Sequence, residues 1–441
     1  MKTVGVISLG CSKNLVDTEE MLAYIKDSGY KLTNDIQKSE IIIVNTCAFI
    51  DKAQEESIDT ILECAKYKKQ GLCRFLVVSG CLAERYKDKL LHEIPELDAV
   101  IGTGSVEEIV NVLDKLSSEK KIAIFKKQRK LKTHKRLLTG PVHSVYLKIA
   151  EGCNHSCSYC IIPRLRGPLR SKPIEMVVEE ANNLVRQGAK EINLIAQDTT
   201  SYGLDLYGKP SLPSLLKKLS KINSLHWLRI LYAYPTHVNE QLLSVIAEEE
   251  KICNYLDIPL QHVSDRILKE MRRKETKEEI RAMLEKIRQR IPGITLRTTF
   301  IVGFPGETEA DFNELLVFME EQQFDWVGVF PYSQEAGTKA ARMANQAPER
   351  IRQKRYNEAM LKQERISRQL MKRWLGKTVE VIIDFVDQKK KFVIGRTSAH
   401  APEVDGVVYV NGNSVYGIHP GELITAKIIA ATGYDLVAEP V

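Results

Sequence analysis

The sequence predicts an α/β protein built in three parts. Its first third alternates short apolar runs with amphipathic helical patterns, which indicates a parallel, Rossmann-like sheet. The middle repeats a strand–helix rhythm with six strands, fewer than the eight of a complete (β/α)8 barrel. The end carries five short β runs separated by turn residues, which predicts a small all-β, OB-like barrel.

Length and composition limit the class of protein. A chain of 441 residues suggests two to four domains, and 44% hydrophobic residues are typical of a globular protein. No apolar run approaches the roughly 20 residues needed to cross a bilayer, and the start lacks a signal-peptide pattern. Nine cysteines without a secretory signal favour a reducing compartment and metal or catalytic use. We therefore expect a cytoplasmic protein without a membrane partner.

Three apolar runs of the first part each lead into a cysteine. The runs cover 4–9, 40–46 and 74–80, with helical patterns at 17–28 and 52–69 between them, and the cysteines are Cys11, Cys47 and Cys81 (the strand triad). Because parallel strands end at one edge of a sheet, these cysteines should converge. One strand-end cysteine would be an ordinary small buried hydrophobe, but three equivalent ones favour a second three-cysteine cluster. Cys64, Cys73 and Cys253 lack such placement and are predicted to be packing residues.

A second set of cysteines starts the middle part. Cys153, Cys157 and Cys160 (the loop triad) form a C-x3-C-x2-C run directly after a strand-like segment at 145–149. Three thiolates on one loop can hold three corners of a cubane iron–sulfur cluster and leave one iron open. Ferredoxin-type carriers use four cysteines, and structural zinc also needs four ligands. Zinc remains the alternative, although His155 would struggle to reach the same metal from so tight a loop.

The loop triad resembles the signature of radical S-adenosylmethionine enzymes. The resemblance implies that the open iron binds S-adenosylmethionine and that Tyr159 lies near the adenine. Together with the motifs around the strand triad, the whole chain is similar to the methylthiotransferase family. That resemblance implies a partial (β/α)6 radical barrel, two 4Fe–4S clusters, S-adenosylmethionine and an external electron donor.

Polar and glycine residues at predicted strand ends are further candidates for cofactor binding, since barrel sites lie there. They are Gln197 and Asp198 after the strand at 191–196, and Gly303, Pro305, Gly306 and Glu307 after the strand at 295–302. The glycines would let the backbone approach the cofactor. Arg297, within a strand, is a candidate if it faces the interior, where it would need a carboxylate partner; Arg229 poses the same question, and both could instead face outward.

Five segments follow from these patterns. They are the first domain at 1–125, a basic linker at 126–140, the radical barrel at 141–345, a basic bridging helix at 346–374 and the β-barrel at 375–441. The linker is either a solvated connection or a contact for an acidic or RNA-containing partner. The β-barrel matches a TRAM domain in position and size, yet it carries six basic and eight acidic residues.

An acidic barrel favours a basic protein over a nucleic acid as partner. The segment 401–406 and the motifs at 10–17 and 195–200 also resemble the RimO branch of the family, although His400 replaces an acid that this branch often has. The branch methylthiolates the β-carbon of an aspartate in small-subunit ribosomal protein number twelve, so we expect this ribosomal protein as substrate, on the assembling ribosome. The alternative is the MiaB branch, which modifies a tRNA adenosine. A non-enzymatic electron carrier or RNA-binding factor is the alternative of another class.

Overall fold

A computed structural model describes residues 2–126, 131, 135–387, 392–411 and 417–441. The chain divides into two compact units, each assembled from separate segments. The first unit comprises Met1–Thr139, Lys148–Lys172 and Ser333–Ala341, and the second comprises Gly140–Leu147, Pro173–Tyr332 and Arg342–Val441. The domain boundaries expected from the sequence stay predictions, since compact packing and sequence domains need not coincide.

The first unit is built on a parallel sheet with strand order β2-β1-β3-β4-β5-β6. Apolar cores pack against both faces of this sheet. Strands such as Ile41–Thr46 are therefore buried along their whole length. The strands are β1 (Thr3–Ser8), β2 (Lys31–Leu32), β3 (Ile41–Thr46), β4 (Phe75–Gly80), β5 (Ala99–Ile101) and β6 (Ile122–Ile124). The helices are α1 (Ser12–Asp27), α2 (Asp51–Gln70), α3 (Cys81–Tyr86), α4 (Asp88–Glu93) and α5 (Ile109–Lys115). The predicted Rossmann-like sheet is confirmed.

Part of the predicted basic linker closes onto this unit. Arg136 is buried and its guanidinium donates to a carboxylate oxygen of Glu19 on α1. Residues 127–130 and 132–134 of the linker lie outside the described ranges. At Arg136, therefore, the linker is an anchor of the first unit and not a solvated connection.

The second unit contains the six-stranded sheet that the sequence predicted, in the order β14-β13-β12-β11-β10-β7. Its strands are β7 (Ser144–Lys148), β10 (Glu191–Ile195), β11 (Trp227–Ile230), β12 (Ile252–Asp257), β13 (Thr295–Val302) and β14 (Trp326–Pro331). Its helices are α7 (Ile174–Arg186), α8 (Leu204–Tyr207), α9 (Leu212–Leu219), α10 (Glu240–Glu248), α11 (Asp265–Glu270), α12 (Lys277–Arg290) and α13 (Glu309–Gln322). Capping boxes at Thr276 and Thr308 fix the starts of α12 and α13. The last residue of β7, Lys148, belongs to the first unit.

The C-terminal part of the second unit is a long helix followed by a closed β-barrel. The helix is α14 (Glu349–Met371), and the barrel order is β15-β16-β17-β19-β18. The barrel strands are β15 (Thr378–Asp387), β16 (Phe392–Arg396), β17 (Val408–Val410), β18 (Leu423–Ala431) and β19 (Leu436–Pro440). The predicted small all-β barrel is confirmed.

No helix in the described ranges is long and apolar enough to cross a lipid bilayer.

Candidate functional site

The strand triad lies at one edge of the first unit's sheet. Cys11 follows β1, and Cys47 and Cys81 directly follow β3 and β4, which are neighbours in the parallel sheet. A Cβ atom added at Gly10 would lie 2.9 Å from Cys47 Sγ, so the end of β1 is packed against the end of β3. The expected convergence of these three cysteines is therefore present in the fold.

The strand triad brings three thiols together, two of them buried. Cys47 and Cys81 are buried whereas Cys11 is exposed, so the site opens on one side. Burial raises the pKa of Cys81 to about 12 against the opposing charge of Arg166, and burial also raises the pKa of Cys47. Buried thiols of this kind ionise when a metal replaces the proton, and cysteine thiolates are the usual ligands of iron–sulfur clusters.

The loop triad lies on a segment of the same unit, between β8 (Ala150–Glu151) and α6 (Ile162–Leu165), and β8 pairs with β9 (Arg170–Ser171). Hydrogen bonds within the loop and to the segment after α6 hold its backbone. The N–H of Cys160 donates to the carbonyl of Cys157 at 3.2 Å, and the N–H of Cys153 donates to the carbonyl of Gly167 at 3.1 Å. The N–H of His155 donates to Cys153 Sγ at 3.4 Å. These bonds shape the loop so that all three thiols are half-buried.

The loop leaves β8 through a glycine that no other residue can replace without strain. Gly152 has a φ of +81°, and a Cβ there would lie 2.1 Å from the carbonyl oxygen of Pro168. We expect Gly152→Ala to lower the free energy of unfolding by about 3 kcal/mol or more and to reduce iron binding by the loop triad. The measurement is a denaturant titration alongside an iron assay.

Gly167→Ala is the matched control for this prediction. Gly167 also has a positive φ, +74°, but a Cβ there would meet nothing within 4 Å. We expect a cost of only about 1 kcal/mol and unchanged iron content. Equal effects of the two variants would show that the contact with Pro168 does not hold the loop.

A buried group of charges that sequence reasoning missed surrounds the base of the loop. Arg166 Nη1 donates to both oxygens of Glu151 at 3.0 Å and to Asp17 at 3.1 Å. Lys148 Nζ also donates to Glu151, at 3.0 Å, and to Asp17. Arg166 Nη2 donates to the side-chain oxygen of Asn14 and to Cys81 Sγ, the latter at 3.6 Å. The sequence shows that α1 contains charged residues, but only the structure shows that several of them are buried.

The other predicted site residues fall in both units. Tyr159 is half-buried in the first unit, within the loop. Gln197 and Asp198 belong to the second unit, where they follow β10. The Asp198 carboxylate accepts the N–H groups of Thr200 and Ser201 at 2.9 and 3.1 Å. Asp198 therefore shapes the turn after β10.

The glycine-rich segment after β13 also lies in the second unit and is held by α14. Glu307 accepts from the N–H of Phe304 and from Arg355 Nη1, both at 3.0 Å, and burial raises the pKa of Glu307 to about 7. A Cβ at Gly303 would lie 2.4 Å from Cγ of Arg352, so helix packing already requires this glycine. Pro305 is buried and Gly306 is half-buried in the same turn.

Arg229 and Arg297, the two arginines within strands, each pair with carboxylates. Arg297 contacts Asp257 at 3.2 Å and Asp405 of the β-barrel at 3.3 Å. Arg229 is fully buried and pairs with Glu191 at 2.9 Å. Each guanidinium is thus engaged within the second unit, and the outward-facing alternative is wrong for Arg229.

Two further predictions concern three packing cysteines and the acidic surface of the β-barrel. Cys64, Cys73 and Cys253 are all buried, as predicted. In contrast, Asp405 is buried against Tyr255, to which it is bonded at 2.7 Å, and His400 is buried with its Nδ1 2.7 Å from Thr397 Oγ1. The segment 401–406 is therefore partly an internal anchor, and Asp405 does not contribute to an acidic surface.

Comparisons with known proteins match three separate parts of the chain. Three family profiles match it: the uncharacterized protein family UPF0004 at residues 3–102, the radical SAM superfamily at 147–319, and the TRAM domain at 375–441. A ribosomal protein uS12 methylthiotransferase RimO from Desulforamulus reducens is 47% identical over 100% of this chain and 99% of its own length. The protein of that name from a Thermoanaerobacter species is 48% identical over the full length of both.

Solved structures share the fold at low sequence identity. The radical S-adenosylmethionine methyltransferase TsrM from Kitasatospora setae, with cobalamin and a 4Fe–4S cluster bound, has a TM-score of 0.57. It is 13% identical over 75% of each chain. The cobalamin-dependent radical enzyme OxsB has a TM-score of 0.53 at 15% identity, over 82% of this chain and 56% of that one. These similarities concern the fold alone.

Proposed function

The chain belongs to the radical S-adenosylmethionine methylthiotransferase family, among the ribosomal protein uS12 methylthiotransferases, and we propose that it methylthiolates the β-carbon of an aspartate in uS12. Curated relatives at 45% identity and above over nearly the whole chain support this activity. They also disfavour the alternative of a tRNA adenosine as substrate.

The observation that carries the proposal is the presence of two cysteine triads in one compact unit. When bound, an iron–sulfur cluster supplies the electron that cleaves S-adenosylmethionine, and the resulting radical breaks a C–H bond that acid–base chemistry could not break at neutral pH. Cys153, Cys157 and Cys160 would hold this cluster. Backbone bonds at Cys153, Cys157 and Cys160 shape the loop that would hold it, and the His155 N–H contacts Cys153 Sγ.

We further propose that Cys11, Cys47 and Cys81 hold a second 4Fe–4S cluster. The support is their position after three adjacent parallel strands and the burial of two of the thiols. Arg166 places positive charge beside Cys81, which favours a thiolate there. In this proposal the strand triad would hold the cluster to which the sulfur or methylthio group is bound before its transfer.

The candidate contacts to S-adenosylmethionine remain proposals. Tyr159, Gln197, Asp198, Arg297, Gly303, Pro305, Gly306 and Glu307 form this set. The internal bonds of Asp198 and Glu307 support an indirect role, in which they hold backbone groups of the turns after β10 and β13. The paired guanidinium of Arg297 supports the same kind of role at the base of β13.

The proposed reaction requires partners beyond the chain. uS12 is the protein substrate, and we propose that it is modified on the assembling ribosome. An external electron donor must reduce the cluster, since S-adenosylmethionine accepts an electron on cleavage. tRNA is not expected to be a substrate.

An anaerobic assay with reconstituted enzyme, S-adenosylmethionine, dithionite and either uS12 or bulk tRNA tests the activity. We expect a methylthio mass increment on one aspartate of uS12 and none on tRNA nucleosides, both measured by mass spectrometry. Methylthio-adenosine without modified uS12 would overturn the proposal. Protein that leaves S-adenosylmethionine intact under dithionite would instead favour an electron carrier or binding factor.

Replacement of Cys47 tests the role of the strand triad. We expect Cys47→Ala to bind roughly half the iron of the parent protein, because one of two clusters is lost. Cleavage of S-adenosylmethionine should persist while methylthiolation falls to background. Cys64→Ala, also a buried cysteine of the first unit, should keep both activities. Unchanged iron content in Cys47→Ala would contradict a second cluster.

A further inference from the structure

Arg166 connects the two cysteine triads within the first unit. One edge of its guanidinium, Nη1, is bonded to Glu151, two residues before Cys153, at 3.0 Å. The other edge, Nη2, is bonded to Asn14 and lies 3.6 Å from Cys81 Sγ. The side chain is almost completely buried, so water cannot screen its charge effectively.

The surrounding residues fix the direction of this guanidinium. Glu151 and Asp17 bind Nη1, and Lys148 bonds to the same two carboxylates. These two acids and two bases balance in charge. Asn14 is held in turn, because its side-chain N–H donates to the carbonyls of Leu9 and Thr46 at 3.0 and 2.9 Å. The Nη2 edge therefore stays aimed at Cys81.

A structural ion pair alone would not need this arrangement. The bonds of Lys148 and of Arg166 Nη1 to Asp17 and Glu151 already balance the charge of this group, and they do not require Nη2 to approach a sulfur atom. The contact of Arg166 with a sulfur atom is an additional feature. Hydrogen bonds and positive charge at a cluster sulfur stabilise the more negative, reduced state and raise the reduction potential.

We propose that Arg166 is a positioning residue shared by the two triads, which holds Cys81 and raises the reduction potential of the cluster that the strand triad binds. The inference rests on the proposed second cluster. It implies that the strand-triad cluster is easier to reduce than its three thiolates alone would make it. At the base of the loop triad, Glu151 binds the same arginine, so Arg166 contacts residues at both sites.

A redox titration of the full chain tests the inference. The parent carries alanine at Cys153, Cys157 and Cys160, so that iron and the electron paramagnetic resonance signal arise from the strand triad. In this background, Asp17→Asn/Arg166→Gln removes one acid and one base together and leaves Lys148 paired with Glu151. At the midpoint potential of the parent, we expect the ratio of reduced to oxidised cluster to fall at least tenfold, ~59 mV for a one-electron couple.

Two further variants separate tuning from folding. Arg166→Lys retains the positive charge and should restore part of the shift. Arg164→Gln makes an identical chemical change two residues away, at an exposed arginine, and should leave the potential at the parent value. Thermal melting of the four iron-free proteins shows whether the double variant still folds.

The outcomes separate the inference from the proposed function. A negative shift with iron content near four per chain, partly restored in Arg166→Lys, supports the role of Arg166. An unchanged potential with the iron retained overturns that role and leaves the second cluster in place. Loss of iron in the double variant alone also overturns it, because Arg166 would then build the site and not tune it. A parent that binds no iron overturns the second cluster itself.

Discussion

Cys157→Ala is expected to abolish cleavage of S-adenosylmethionine while most of the fold remains intact. Two thiolates cannot hold three corners of a cubane cluster, so the loop should bind no redox-active iron. The bond between Cys160 N–H and the Cys157 carbonyl involves only backbone atoms and survives the substitution. In Cys153→Ala, by contrast, the contact from the His155 N–H would also be lost. Cys157 is therefore the cleaner test of the ligand role.

The measurement is formation of 5′-deoxyadenosine under dithionite, together with iron content. We expect product at the level of cluster-free protein and roughly half of the parent iron, which the strand triad would retain. Cys253→Ala, a buried cysteine of the second unit, should keep full cleavage and lose about 1 kcal/mol of stability. Substantial cleavage by Cys157→Ala would contradict the assignment of the loop triad.

Glu191→Gln is expected to lower the free energy of unfolding of the second unit by about 3–5 kcal/mol. Glu191 is fully buried and pairs with Arg229 at 2.9 Å and with Arg396 of the β-barrel at 2.8 Å. The amide would leave these two buried guanidinium groups without their shared anion. Trp227, Trp326 and Trp374 all belong to this unit, so tryptophan fluorescence during denaturant unfolding reports on it selectively.

The effect of Glu191 should depend on pH. Burial acts to raise its pKa, but Arg396 and Arg229 outweigh burial and lower the pKa to about 2. The folded pKa lies below the ordinary value of 4.5, so the stabilisation is fully present above pH 4.5. It is lost as the pH falls from 4.5 towards 2. The difference between the parent and Glu191→Gln should therefore shrink over this range.

Glu380→Gln provides the matched comparison. Glu380 also forms an ion pair within the second unit, with His226 at 3.2 Å, but its side chain is 57% exposed. We expect less than about 0.5 kcal/mol of change, because water screens the pair. Equal losses in the two variants would contradict a special contribution from the buried group around Glu191.

Much of the fold followed from local patterns. The strands at 41–46 and 75–80 lie within the predicted runs 40–46 and 74–80, each of which leads into a cysteine. Both triads could be proposed as metal sites from the sequence, because a metal site requires particular residue types at particular positions. The short strands β2, β5 and β6 were not predicted, since two or three residues carry too little periodicity.

The partners of charged side chains were beyond the reach of the sequence. Arg166 and Asp17 are 149 residues apart, and nothing local to either indicates the other. The acidic residues of the β-barrel show that composition alone can also suggest solvent exposure where the structure has burial. Asp405 adds to the acidic composition of the barrel, yet in the interior it accepts a hydrogen bond from Tyr255 and forms an ion pair with Arg297. Composition records which charges exist, whereas tertiary structure decides which of them solvent can reach.

The segmented first unit has a consequence for synthesis on the ribosome. Arg85 on α3 forms a buried ion pair with Glu335, and Gln54 bonds to the same carboxylate at 3.2 Å. Neither residue can form this contact until Glu335, which lies 250 positions after Arg85, has been translated. At typical elongation rates the delay is roughly 10–50 s. All six cysteines of the two triads are therefore translated well before the last segment of their unit, 333–341. During this interval, iron binding or a chaperone would protect the thiols of the nascent chain.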